Sequence, residues 1–177
     1  MRALIVYESI YGNTHVVADH VAEGLRAHFD VDVLPVDRAT TDHVAAADLL
    51  VVGGPTHLHG MSSTRSRQAG RDAAHKPGEE IELDPDAEGE GLRDWFHSLP
   101  ATAPRAAAAF DTRVDAAAVL TGRASRGISR RLTELGYRLA ADPESFLVDK
   151  ANHLLAGESD RAEVWAASLA SYSPVRA

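Results

Sequence analysis

The chain has 177 residues, 45% of them apolar, a formal net charge of −8 and no cysteine. That length favours a single domain, residues 1–177, with a sizeable core, and the negative charge argues against nucleic acid, whose phosphates need a basic face. The missing thiols remove disulfides, thiolate metal sites, iron–sulfur clusters and cysteine nucleophiles, and with no apolar run of membrane-span length and a strand at the very N-terminus, neither a span nor a signal peptide is expected and the cytoplasm is the expected location.

Residues 3–7 (ALIVY) form a continuous apolar run, which suits a strand buried on both faces of a parallel sheet. The next stretch, Glu8-Ser9-Ile10-Tyr11-Gly12-Asn13-Thr14, is small, hydroxyl-bearing and turn-prone. From Thr14 the pattern turns helical, with Val17, Val21, Leu25 and His28 on one face. A strand, a hydroxyl-rich turn and a helix make a phosphate cradle. The first-turn N–H groups of the helix point into the loop, and its dipole favours an anion there. Ser9 and Thr14 supply hydroxyls, Gly12 allows close backbone approach, and Asn13 is placed to cap the helix. The Walker pattern G-x-x-x-x-G-K-[ST] is absent. The two lysines, Lys76 and Lys150, lie far from this strand. The dinucleotide fingerprint G-x-G-x-x-G is also missing, because Gly12 stands alone.

Residues 31–36 (VDVLPV) read as a second strand, with Pro35 suited to a sheet edge. Residues 40–47 suggest a short helix or turn. Residues 48–52 (DLLVV) are another buried strand, followed by a loop at Gly53–Gly60 (GGPTHLHG). Residues 62–91 are rich in Arg, Gly, Pro and acidic residues, with a short extended piece at 80–83; they read as an irregular, solvated surface excursion or, alternatively, as a partner or dimer contact or a cover over the ligand. Residues 92–99 form an amphipathic helix with Trp95, Phe96 and Leu99 inward, closed by Pro100 and Pro104. Residues 105–110 (RAAAAF) are the fourth strand, and Asp111–Val114 form a loop at its carboxyl end. Residues 121–125 lead into a helix with Ile128, Leu132 and Leu135 on one face and Gly136 as its stop. Residues 137–148 are a fifth strand, broken around Asp142-Pro143-Glu144, and 160–172 a last helix with Val164, Trp165, Leu169 and Tyr172 inward. The alternation gives an α/β, doubly wound, five-stranded parallel sheet. Ligands of such sheets gather at the carboxyl ends of the strands, so the loops after strands one, three and four point to one crevice.

The loop Ser9-Ile10-Tyr11-Gly12-Asn13-Thr14 resembles the FMN-phosphate loop of flavodoxins, S/T-x-T-G-x-T, with Tyr11 in place of the usual middle threonine. Gly53–Gly60 resembles the loop that flanks the flavin in that family. The resemblance covers nearly the whole chain except 62–91. It implies the strand order 2-1-3-4-5 and FMN as cofactor. The phosphate would meet Ser9, Ile10, Tyr11, Gly12, Asn13 and Thr14. The ring would lie between Pro55, Thr56, His57, Leu58, His59 and Gly60 on one side and Asp111, Thr112 and Arg113 on the other. Flavodoxins usually stack an aromatic side chain there, and this chain offers none. Arg113 reads either as a cation at the pyrimidine edge or as a salt-bridge partner of Asp111 or Asp115. His57 and His59 invite a metal reading, but no further ligands stand nearby, and no metal is expected.

The family implies an electron carrier that works with a redox partner protein or an NAD(P)H-linked reductase. Two rivals follow from the open ring site: an FMN-dependent NAD(P)H:quinone-type reductase, and a module without flavin that serves interactions. Two arginine groups, Arg65/Arg67/Arg71 and Arg126/Arg130/Arg131, read as solvated faces or as docking sites for an acidic partner or a nucleotide phosphate. No G-x-S-x-G elbow supports hydrolysis.

Overall fold

A computed structural model describes residues 1–57, 60–76, 81–101 and 105–171. Its parallel sheet uses β1 (Arg2–Tyr7), β2 (Asp30–Pro35), β3 (Leu49–His57), β5 (Ala106–Val114) and two short pieces, β6 (Arg138–Leu139) and β7 (Glu144–Val148). β4 (Gly60–Met61) folds back on β3 as the antiparallel arm of a hairpin. The order is β2-β1-β3-β5, and both β6 and β7 pair with β5. This is the expected 2-1-3-4-5 sheet, with the fifth strand split at Asp142-Pro143 as its turn residues suggest.

Alternation along the central strands decides which helix packs where. Ile5, Val51, Ala108 and Phe110 face α1 (Asn13–Leu25) and α7 (Glu158–Leu169), in a core that includes Val17, Val21, Leu25, Ala162, Ala166 and Leu169. Leu4, Val6, Val52, Ala107 and Ala109 face the other way, toward α2 (Thr41–Ala46), α4 (Leu92–Ser98) and α6 (Ala124–Glu134). There they meet Val44, Leu92, Trp95, Phe96, Ile128 and Leu132. Position 53 has room only for glycine: the Phe110 ring lies so close that a Cβ there would stand 2.0 Å from it. α6 ends as the sequence indicates. Tyr137 N–H reaches Leu132 C=O and Gly136 N–H reaches Thr133 C=O, the paired bonds of a Schellman stop.

Several expectations need correction. His28 lies beyond the end of α1 and is exposed, and Val164 is 72% exposed on α7; both were placed on an inward face by spacing alone. Leu58, His59, Glu80, Pro104 and Tyr172 lie outside the described residues. The stretch 62–91 is not an irregular solvated excursion. It contains α3 (Thr64–Ala74), opened by a capping box in which Ser63 and Ser66 exchange side-chain and backbone bonds. Ser62, Ser66, Arg67, Asp84 and Ala87 of this segment are buried. Finally, β3 and β5 run on to His57 and Val114, so the residues read as the loops Gly53–His57 and Asp111–Val114 are strand ends. The apolar runs stop earlier than the hydrogen-bonded ladder does, because the ends of these strands line a cleft instead of a core.

Candidate functional site

The carboxyl ends of β1, β3, β5 and β7 enclose a cleft of about 170 Å³. One wall is the turn from Ser9 to Thr14. Another is Pro55, Thr56 and His57 of β3, and the third is Thr112, Arg113 and Val114 of β5, with Val148 and Asn152 closing the far end. Register explains the meeting of the two strands: Gly54 stands opposite Asp111 and Pro55 opposite Thr112.

The Ser9–Thr14 turn is held by its own groups and by the segment after α3. Gly12 is the N-cap of α1 at φ 88°, a left-handed conformation that costs a side-chain-bearing residue energy. No side chain caps the helix, so its first N–H groups stay open toward the cleft. This corrects the capping role read for Asn13: it is the first helical residue, and its Nδ2 donates to Asn152 C=O at 2.8 Å. Ser9 Oγ accepts from Gly12 N–H at 3.1 Å, and among the described residues no acceptor takes its own hydroxyl hydrogen. Thr14 and Thr112 share a hydrogen bond of 2.7 Å, which ties the start of α1 to β5. The Tyr11 hydroxyl donates to Gly70 C=O at 2.8 Å, so its one hydrogen goes to α3. Ile10 is buried, and its carbonyl accepts from Asp84 N–H at 2.8 Å.

Beneath this turn lies a polar group that the sequence did not disclose. Glu8 is 4% exposed. One carboxylate oxygen accepts from Leu92 N–H at 2.9 Å, which anchors the start of α4. The other takes the Ser62 hydroxyl and lies 3.7 Å from Arg67 Nε. Arg67 in turn donates to Gly89 C=O. Arg67 is therefore a buried counter-ion, against the reading of Arg65, Arg67 and Arg71 as a solvated cluster. Asp84 N–H, Arg67 and Gly70 all meet the turn or the residue before it, so the described parts of 62–91 pack around the site. Beside them Tyr7 stacks on His15 at 4.4 Å and donates to Asp86 at 2.8 Å; burial, then this bond, pushes the Tyr7 phenol above its ordinary range.

The walls formed by the ends of β3 and β5 are different in kind. Asp111 is fully buried and faces away from the cleft, where it accepts from Ser125 N–H at 2.8 Å. Burial pushes its carboxyl above the usual range, and the Ser125 bond only partly offsets that. Asp111 is thus a residue that holds α6 and not a wall residue, because the pleat sends successive strand side chains to opposite faces. Thr56 Oγ1 accepts from Ala124 N–H at 2.8 Å and holds the same helix end. Burial lowers the His57 imidazole from its ordinary value, partly countered by the Glu8 carboxylate, so His57 is neutral near pH 7. Arg113 makes no ion pair among the described residues. Its Nη1 donates to the carbonyls of Ala116 at 2.7 Å and Val114 at 3.3 Å, and it straps the loop down to Thr121. The salt bridge to Asp111 or Asp115 is therefore replaced by bonds to carbonyls.

Val114 lines the cleft as the sequence indicates, whereas Val148 and Asn152 are wall residues that sequence reasoning missed. Only Asn152 left a signal: an Asn in a polar turn is the residue type most ready to adopt a left-handed backbone, and its φ is 66°. At the Ser9–Thr14 turn the donors are chiefly hydroxyls and helix N–H groups, with no lysine. They fit a phosphate ester held by hydrogen bonds, next to a flat slot between two strand ends.

Comparisons with known proteins agree with this geometry. The profile of the Flavodoxin family matches residues 5–84. A flavodoxin of Aquifex aeolicus is 41% identical over 59 residues, a stretch that covers 32% of this chain and 32% of that protein. The alignment thus spans about a third (32%) of the relative's length. Among solved structures, oxidised flavodoxin 1 from Bacillus cereus superposes with a TM-score of 0.68 at 16% identity, over 98% of this chain and 100% of that one. A flavodoxin from the domain Archaea superposes with a TM-score of 0.65 at 19% identity, over 96% of both chains. At these identities the structures speak for the fold, and the N-terminal match speaks for the sequence. Both lead to the same conclusion: this chain has a flavodoxin-like fold, and its N-terminal part is similar in sequence to flavodoxins.

Proposed function

We propose that the chain binds FMN in this cleft and carries electrons between partners. The carrying observation is the turn Ser9–Thr14 at the open N-terminus of α1, beside a cleft lined by the carboxyl ends of β3 and β5. The phosphate would be held by the Ser9 and Thr14 hydroxyls and the first N–H groups of α1. Gly12 shapes the turn, Asn13 is braced by Asn152, and Ile10 and Tyr11 are anchored by Asp84 and Gly70. Pro55, Thr56, His57 and Gly60 on one side and Thr112 and Arg113 on the other would flank the ring; Leu58 and His59 belong to the same proposal by sequence. The cofactor supplies the electron-carrying ring; the protein supplies orientation, electrostatics and exclusion of water. Neutral His57 and aliphatic Val114 and Val148 leave one side of the slot without a stacking aromatic. The partner would be a redox protein or an NAD(P)H-linked reductase, the location the cytoplasm, and the whole of 1–177 one domain. Among the described residues no helix is long and apolar enough to cross a membrane.

An absorption spectrum of the purified protein, followed by an FMN titration, tests this. Flavin bands released as FMN on denaturation are the expected result. A colourless protein that FMN does not saturate at micromolar concentration overturns it. The non-aromatic slot favours a second reading, an FMN-dependent reductase of a small acceptor such as a quinone. Steady turnover with NAD(P)H and a quinone separates it from a pure carrier.

A further inference from the structure

Next to the cleft runs an open groove of about 680 Å³ between the β4 hairpin and the start of α6. Arg93, Arg123, Arg126 and Arg130 line it, together with Met61 and Val119, and no acidic residue lines it among the described residues. This is the reverse of the molecule's overall charge of −8. Arg93 bonds to the carbonyls of Met61 and Ser62, which hold it without cancelling its charge. Arg123 and Arg126 have no carboxylate partner among the described residues, and Arg130 shares Glu134 with Arg131. Beside the arginines, α5 (Ala118–Thr121) presents Val119 at 87% exposure and Leu120 at 68%. With Val114 at the cleft rim, they are three of the six large apolar side chains exposed among the described residues. Hydrogen bonds link the two walls: Thr56 of the cleft holds the first turn of α6, and Arg113 of the cleft holds Thr121 at the end of α5.

We propose that this face docks an acidic redox protein, whose carboxylates meet the arginines while an apolar patch covers Val119 and Leu120. Three points favour a protein over a small anion. The arginines of α6 extend from 123 to 130, about 10 Å along the helix, longer than one phosphate. Arginine and methionine are both enriched in protein interfaces, and Met61 lines the groove beside the arginines. The groove is wide and open, where a nucleotide site would enclose its ligand. Net charge repels an acidic protein at long range, but at about 0.1 M salt the screening length is about 10 Å, so the local patch sets the docked orientation. The kind of partner rests on the carrier reading above; the docking does not.

Amide NMR of the labelled full chain, with and without added FMN, tests this. The probes are an acidic plant-type two-iron, two-sulfur ferredoxin, the basic protein cytochrome c, and 2′,5′-ADP. Ferredoxin is expected to perturb Gly60, Met61 and residues 118–130 saturably. Affinity should fall about tenfold at about 0.3 M salt and in Arg126→Glu/Arg130→Glu, whose unchanged thermal midpoint serves as the fold control. Cytochrome c should leave these amides unmoved. Ferredoxin shifts elsewhere, no shifts, or shifts unaltered in the variant overturn the proposal, as does cytochrome c acting on the groove. Saturable binding of 2′,5′-ADP at the same amides also overturns it and assigns the groove to a pyridine nucleotide. Groove shifts in a chain that FMN does not saturate leave the docking surface standing and remove the carrier reading.

Discussion

The two halves of the cleft are built on different principles. The phosphate side is one contiguous turn whose groups bond each other and a buried layer beneath: Ser9 to Gly12, Thr14 to Thr112, Ile10 to Asp84, and Glu8 to Leu92, Ser62 and Arg67. The ring side consists of strand ends whose polar groups mostly face away from the cleft, toward α6. The first half is pre-organised for one chemical group. The second is a slot whose walls were left plain, and it lies beside the basic groove. Affinity should therefore reside on the phosphate side, and ring chemistry should be easier to alter.

The largest effect is expected beneath the phosphate side. Glu8→Ala strips Arg67 of its carboxylate and leaves Leu92 N–H and the Ser62 hydroxyl unpaired. Loss of one partner of a buried pair costs about 3 kcal/mol or more. Chemical denaturation should show that loss, and a variant as stable as the parent would mean that the layer is not structural. Next comes Gly12→Val, which forces a β-branched residue to φ 88° at a strain of about 1–3 kcal/mol. FMN affinity should fall about tenfold to a hundredfold in a titration, with far-UV dichroism unchanged; undiminished affinity would show that the turn does not hold the phosphate. On the ring side, His57→Trp supplies the missing aromatic. A stacked pair is worth about 0.5–1.5 kcal/mol, so FMN should bind about threefold to tenfold tighter. A loss of affinity instead would show that His57 makes a specific bond to the ring.

The smallest effects concern pH, and their signs differ across the ring wall. Burial raises the Asp111 carboxyl, so its protonated form is favoured in the folded state. That contribution is complete below the ordinary carboxylate value and is lost as pH rises through the folded value. Asp111→Asn cannot ionise, so its stability relative to the parent should improve as pH climbs through this window; parallel stability curves would refute the burial argument. Burial lowers His57, so its neutral form is favoured. That contribution is present above the ordinary imidazole value and is lost as pH falls through the lowered one. Comparing His57→Gln with the parent in acid denaturation isolates it.

Local pattern was enough for much of this. The apolar runs 3–7 and 48–52 and the turn 8–14 identify the strands and the anion-binding helix end, because backbone geometry and hydroxyl donors are contained within a few consecutive residues. The split of the last strand at Asp142-Pro143 was legible for the same reason, as proline chemistry is local. The stop of α6 at Gly136 was too. What spacing could not convey is which groups meet across the sheet. Arg67 reads as one of three surface arginines until Glu8, 59 positions earlier, proves to be buried beside it. Asp111 reads as a loop ligand until the register against Gly54 turns it toward Ser125. The stretch 62–91 has no period because Asp84 and Gly70 are fixed by a turn far away in sequence, not by a regular face of their own. Sequence by itself determined the strands and the hydroxyl-rich turn, since these follow from propensity and hydrophobic alternation; the strand order came from the family resemblance. Only the tertiary structure decided the buried ion pair, the plain walls of the slot and the basic groove beside it. Each depends on a pleat direction or a long-range contact, and a linear chain carries no record of either.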